Sequence, residues 1–108
     1  MNLTKLETDL KALGFDVFIN HTTTEDVVDD TFIVILENGS SNAVYDDKVY
    51  VKGDYYSVIL HAYEEKKAKE SQLENYFDIN NIVWSKSQGY IEDLFLFTTQ
   101  YDFKLWQL

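Results

Sequence analysis

A chain of 108 residues with 45% hydrophobic content and eight Tyr, seven Phe and two Trp has material for one domain with a modest core, and is far too apolar for a disordered acidic tail. Its 19 acidic against nine basic residues give a net charge of −10, which repels phosphate backbones and disfavours readers of DNA or RNA sequence. It has no cysteine, which excludes disulfides and thiolate metal sites; with no basic segment leading into an apolar start and no apolar run of membrane-spanning length, the expectation is a chain without signal or membrane span, made in the cytoplasm.

In chain order, Leu3, Leu6, Leu10 and Leu13 recur at steps of three and four, one face of a helix with Asn2 as N-cap and Gly14 as its stop. Phe15–Ile19 reads as a short strand, and Asn20 to Asp30, rich in Thr and Asp, as a long loop. Thr31–Glu37 is β-branched and aromatic, hence a strand, and the Asn38-Gly39 dipeptide after it is a hairpin signal. Ala43–Tyr45 starts another strand, with Asp46-Asp47-Lys48 at a turn or loop tip. Val49–Lys52 is expected to pair with Tyr55–Tyr63 across Gly53-Asp54. The second of these is apolar on both faces, which predicts a central position.

Between Glu64 and Phe77 the β-branched residues vanish and Lys, Glu, Ala and Gln dominate, predicting a helix whose Leu73, Tyr76 and Phe77 share a face with the stems of Lys66 and Lys69. Ile82–Lys86 reads as a strand, Ser87-Gln88-Gly89 as a turn, and Tyr90–Trp106 as the longest β pattern, with Ile91, Phe95, Phe97, Tyr101, Phe103 and Leu105 on one face. The class is α+β: an N-terminal helix, then a mainly antiparallel sheet with one helix packed on it, in the order α-β-β-β-β-α-β-β, forming a single domain over residues 1–108.

Residue patterns that carry chemistry are few. His21 lies in the acidic loop and His61 within a strand, with no second histidine at metal-binding spacing; both read as ordinary polar residues. The cluster Glu25, Asp26, Asp29 and Asp30 lacks the glycine and ligand spacing of a calcium loop, and Asp46, Asp47 and Asp54 read as turn residues rather than an acid/base pair. Neither a nucleophile elbow nor a phosphate-binding loop is present, and the four glycines fall at expected element boundaries. No catalytic residue, metal or cofactor is expected. Tyr45, Tyr50, Tyr55, Tyr56, Tyr63 and Tyr90 gather at expected strand ends and turns, a residue type enriched at interfaces.

One series is more specific. It runs from Asp47-Lys48-Val49-Tyr50-Val51-Lys52-Gly53-Asp54-Tyr55-Tyr56 through His61-Ala62-Tyr63 to the charged helix ending Gln72-Leu73-Glu74-Asn75-Tyr76-Phe77. It closes with Ile82-Val83-Trp84-Ser85-Lys86 and Gly89-Tyr90-Ile91-Glu92-Asp93-Leu94-Phe95-Leu96-Phe97. This series resembles the tail terminator (tail completion) proteins of phages with long non-contractile tails, over about Leu3 to Trp106. The resemblance implies a ring of this chain, a hexamer, at the head-proximal end of the tail in the virion. Such a ring meets the tail-tube protein on one side and the head–tail connector or stopper on the other, while DNA passes through without specific binding. Candidate interface or lumen residues, assigned from position, charge and residue type, are Glu25, Asp26, Asp29, Asp30, Asp46, Asp47, Tyr50, Asp54 and Tyr55. Alternative readings are a head–tail stopper or adaptor of similar size, and a small acidic inhibitor that mimics DNA.

Overall fold

In a computed structural model, residues 2–20, 31–45, 48–62, 67–92 and 96–107 are described. Two helices, α1 (Leu3–Ala12) and α2 (Lys67–Ile79), accompany β1 (Asp16–Ile19), β2 (Thr31–Tyr45), β3 (Lys48–Ala62), β4 (Trp84–Ile91) and β5 (Leu96–Gln107). The strands form one sheet in the order β1-β2-β3-β5-β4, antiparallel except for the parallel β1–β2 pair. The α+β class and both helices are as the sequence predicts, and two strands close the chain, though with other bounds than expected. The long apolar strand is central, as expected of a strand buried on both faces.

Helix α1 forms where its leucine stripe lies. Asn2 Oδ1 accepts the Lys5 backbone N–H at 2.9 Å, and Gly14 takes φ +100° to end the helix. Leu6 and Leu10 of α1 and Leu73 and Phe77 of α2 are buried against one face of the sheet, where they meet Ile33, Ile35, Val58, Leu60, Tyr101 and Phe103. Along β5, Tyr101, Phe103 and Leu105 point to the helices as expected; of the others expected on that face, Phe97 is 38% exposed, Phe95 lies outside the described residues, and Ile91 belongs to β4, opposite Leu96 of the other face's cluster. Aromatic edges fill the centre, with Phe77 in a T-shaped contact with Tyr101 at 5.4 Å between ring centroids. On the opposite face a smaller cluster of Phe32, Val34 and Leu96 is also buried, with Phe18 and Leu36 packed against it.

Strand segmentation differs from expectation, each time for a local reason. Asn38-Gly39 does not close a hairpin; Gly39 takes φ +118° at a register shift within β2. A bulge and a hairpin turn draw on the same conformational freedom of glycine, so the dipeptide signals either. Gly53 and Asp54 likewise lie inside β3, paired to Ser41 and Ser40 on one side and to Trp106 and Leu105 on the other. The reversal falls instead between Tyr45 and Lys48, which pair directly. Ser87-Gln88-Gly89 is mid-strand in β4, opposite Gln100, Thr99 and Thr98. Gly89 is there for close packing: a Cβ would stand 3.1 Å from Thr98 Oγ1. The β pattern from Tyr90 to Trp106 is shared between β4 and β5, with Tyr90 paired to Phe97 across the reversal. The expected loop from Asn20 to Asp30 lies, from position 21 on, outside the described residues; the strands on either side of it, β1 and β2, run parallel.

Polar anchors fix α2 on the sheet. Glu70, 5% exposed, accepts from Lys86 Nζ at 3.1 Å, Gln88 Nε2 at 2.9 Å and Thr99 Oγ1 at 3.1 Å. Lys86 also reaches Glu74 at 3.1 Å, and the Tyr101 hydroxyl donates to the same carboxylate at 2.8 Å. Burial alone pushes the Glu70 carboxyl up, but the hydrogen bonds from Lys86, Gln88 and Thr99 and the Lys86 charge together bring it below the usual glutamate value. Burial and then the Glu74 bond push the Tyr101 hydroxyl far up, so it stays a donor at all ordinary pH. Lys86→Met removes the cation that separates two carboxylates and is expected to lower stability by about 1–3 kcal/mol, read as a shift of the urea midpoint with an unchanged slope.

Candidate functional site

Of the nine candidate residues, Glu25, Asp26, Asp29, Asp30, Asp46 and Asp47 lie outside the described residues, and Tyr50 is placed only as a backbone position in β3. Asp54 and Tyr55 are described, and they are strand residues of β3 rather than turn residues. Successive side chains of a strand point to opposite faces, so the two serve different surfaces. Asp54 lines a recess of about 600 Å³ together with Glu37, Tyr56 and the first residues of α1, Asn2, Leu3 and Thr4. Burial first, then the charges of Asp54 and Glu37, raise the Tyr56 hydroxyl above its ordinary value, which marks the recess as electronegative. No acidic residue stands in the first turn of α1; the two carboxylates lining the recess come from β2 and β3 and suit the positive end of the helix dipole.

Tyr55 points the other way. It is 43% exposed, and Lys104 Nζ of the neighbouring strand lies 5.1 Å from its ring centroid. Both line a second recess of about 380 Å³ with Asn38, Ser85 and Asp102. Beside it is a polar group that sequence reading did not single out: Ser57 donates to Asp102, Asn38 Nδ2 donates to Ser57, and Gln100 Nε2 donates to Asp102 at 2.9 Å. Cross-strand pairing creates this group, since Ser57 sits opposite Asp102 although the two are 45 positions apart in the chain. Only knowledge of the β3–β5 register finds it.

The chemistry available to this group is limited. The Ser57 hydroxyl is given to the Asp102 carboxylate, and among the described residues no imidazole is bonded to it. His61 is elsewhere on the same face, stacked on Phe32 at 4.6 Å with Nδ1 3.2 Å from the Ile59 carbonyl. Among the described residues no group of three or more His, Cys, Asp or Glu is arranged to hold a metal ion, and no helix is long and apolar enough to cross a membrane. The arrangement offers a surface for contact: exposed aromatics, fixed polar groups and two sheet edges that no described strand covers.

Burial lowers the His61 pKa, opposed by the Ile59 carbonyl. The unfolded chain then takes the proton first, so stability present above the ordinary histidine pKa of roughly 6.5 is lost as pH falls from there toward the folded value. His61→Phe, which keeps a ring against Phe32, is expected to flatten the decline of the thermal midpoint between neutral and mildly acid pH. Neither a protein-family model, nor a curated protein, nor a solved structure matches this chain.

Proposed function

We propose that this chain is an assembly protein of a phage virion, working as a tail terminator: a ring that ends growth of the tail tube and joins the tail to the head connector. The sequence series from Asp47 to Phe97 supplies the resemblance. The observation in the structure that supports an assembling subunit is the β2–β3 hairpin. Both strands are 15 residues long, but β1 pairs β2 only as far as Ile35, and β5 pairs β3 only from Lys52 onward. Past both points, among the described residues, the hairpin is a two-stranded arm on a molecule measuring 51 × 25 × 22 Å. A lone two-stranded ribbon is marginally stable in water, and its sequence, with Val44, Tyr45, Val49, Tyr50 and Val51, is suited to lying against another surface. Charge fits the same reading. Six copies at −10 each repel one another, so the ring forms more readily in salt, while an acidic lumen lets DNA slide through without adhering.

The test is addition of purified protein to polymerising tail-tube subunits of the same phage. Tubes capped at one end by a ring, with elongation stopped, are the expected result. Tubes that elongate unchanged and carry no bound protein contradict the proposal.

A further inference from the structure

The sheet has two unlike edges. Strand β1 is at one end and β4 at the other, and neither has an outer partner among the described residues. Following the pairings across the sheet, β1, β2 and β5 run one way while β3 and β4 run the other. The edges are therefore opposite in direction: one copy's β4 laid beside the next copy's β1 continues the sheet as an antiparallel pair, helix face beside helix face.

Proline and a bulge, two of the devices that protect an edge, are missing from β4. It is eight residues long, and its pairing with β5 runs through all eight positions. Its only charge, Lys86, is paired with Glu70 and Glu74 of α2. In a chain of net charge −10, β4 has no carboxylate and β1 has one, Asp16, so pairing these two edges sets no carboxylate against another. Among the described residues, the enclosed Asp16 Oδ2 has no hydrogen-bond donor.

We infer that copies of this chain join head to tail, the β4 edge of one pairing with the β1 edge of the next, with Asp16 opposite Ser87. That register sets Phe18 opposite Ser85 and Ile19 opposite Trp84. Ile19 and Trp84 both pack against the helix-side core of their own copy, so the two cores become continuous across the junction. Asp16 and Ser87 share the other face, where the serine hydroxyl is a donor for the carboxylate once it turns about its Cβ–Cγ bond. Val83, 89% exposed at the head of β4, lies against the junction and is covered by it. A contact between unlike edges is heterologous, and repeats until the rotation per copy closes it into a ring. The inference rests on the ring reading for that closure, and adds the surfaces that meet.

Because the chain has no cysteine, introduced thiols report contacts cleanly. The double variant Asp16→Cys with Ser87→Cys, concentrated in high salt and bridged with a short thiol-to-thiol reagent, is expected to give a ladder of dimers, trimers and larger species, while each single variant stays essentially uncoupled. Ser87→Glu, placing a carboxylate opposite Asp16, is expected to weaken self-association measured by sedimentation at least tenfold, and Asp16→Lys in the same chain to restore it. Coupling of the Ser87→Cys single variant into dimers would mean that β4 meets β4, and would overturn the inference. So would rings of the double variant that form without any bridge between positions 16 and 87, or a wild-type chain that stays monomeric in high salt at every concentration. A ladder from protein that fails to cap tail tubes supports the inference and removes the terminator reading instead.

Discussion

The contact between one face of the sheet and two helices is the interaction on which the rest of the fold depends. Leu6, Leu10, Leu73 and Phe77 provide the helix side and are sealed from solvent, as are Ile33, Ile35, Val58 and Tyr101 beneath them. A chain of this length buries only about two-thirds of the surface it exposes when unfolded, so its core resources are concentrated in that layer. What is left over decides the character of the molecule. The other face holds a small apolar cluster and a row of bonded polar groups, and among the described residues the outer strands end in open edges.

Seating of α2 is where polar chemistry serves packing. Near its end Asp78 is bonded to the Trp84 indole at 3.0 Å, and nearer its middle Gln72 Nε2 donates to the Leu13 carbonyl after α1 at 3.2 Å. The Tyr76 hydroxyl donates to Asp9 at 2.7 Å, joining the helices directly. These bonds fix the orientation of a helix whose apolar stripe is narrow. The Glu70–Lys86–Glu74 group does the same from the sheet, and also pairs the one cation of the β4 edge with two carboxylates. A single arrangement thus locks a helix and balances the charge of an edge strand.

How much of this could be read in advance follows from the range of each signal. Leucine spacing, the Asn2 cap and Gly14 are local, and α1 is legible from them. So is α2 from its loss of β-branched residues, and so is the two-sided apolar character of β3. Turn signals misled at Gly39, Gly53 and Gly89 because glycine marks any backbone or packing demand that a side chain would obstruct, not reversal alone. Of the candidate site, only Asp54 and Tyr55 are described with their side chains, and they separate to opposite faces. The Ser57–Asp102 pair and the opposite direction of the two edges arise from strands far apart in sequence, so no local pattern announces them.

For the proposed edge-to-edge assembly, the decisive quantity is which backbone amides change on association. Hydrogen exchange, followed residue by residue while the protein is moved from dilute low-salt to concentrated high-salt solution, measures it directly. Amides of residues 16–19 and 84–91 are predicted to gain protection together, in step with the rise in mass. Association with exchange at both edges unchanged would contradict edge-to-edge assembly.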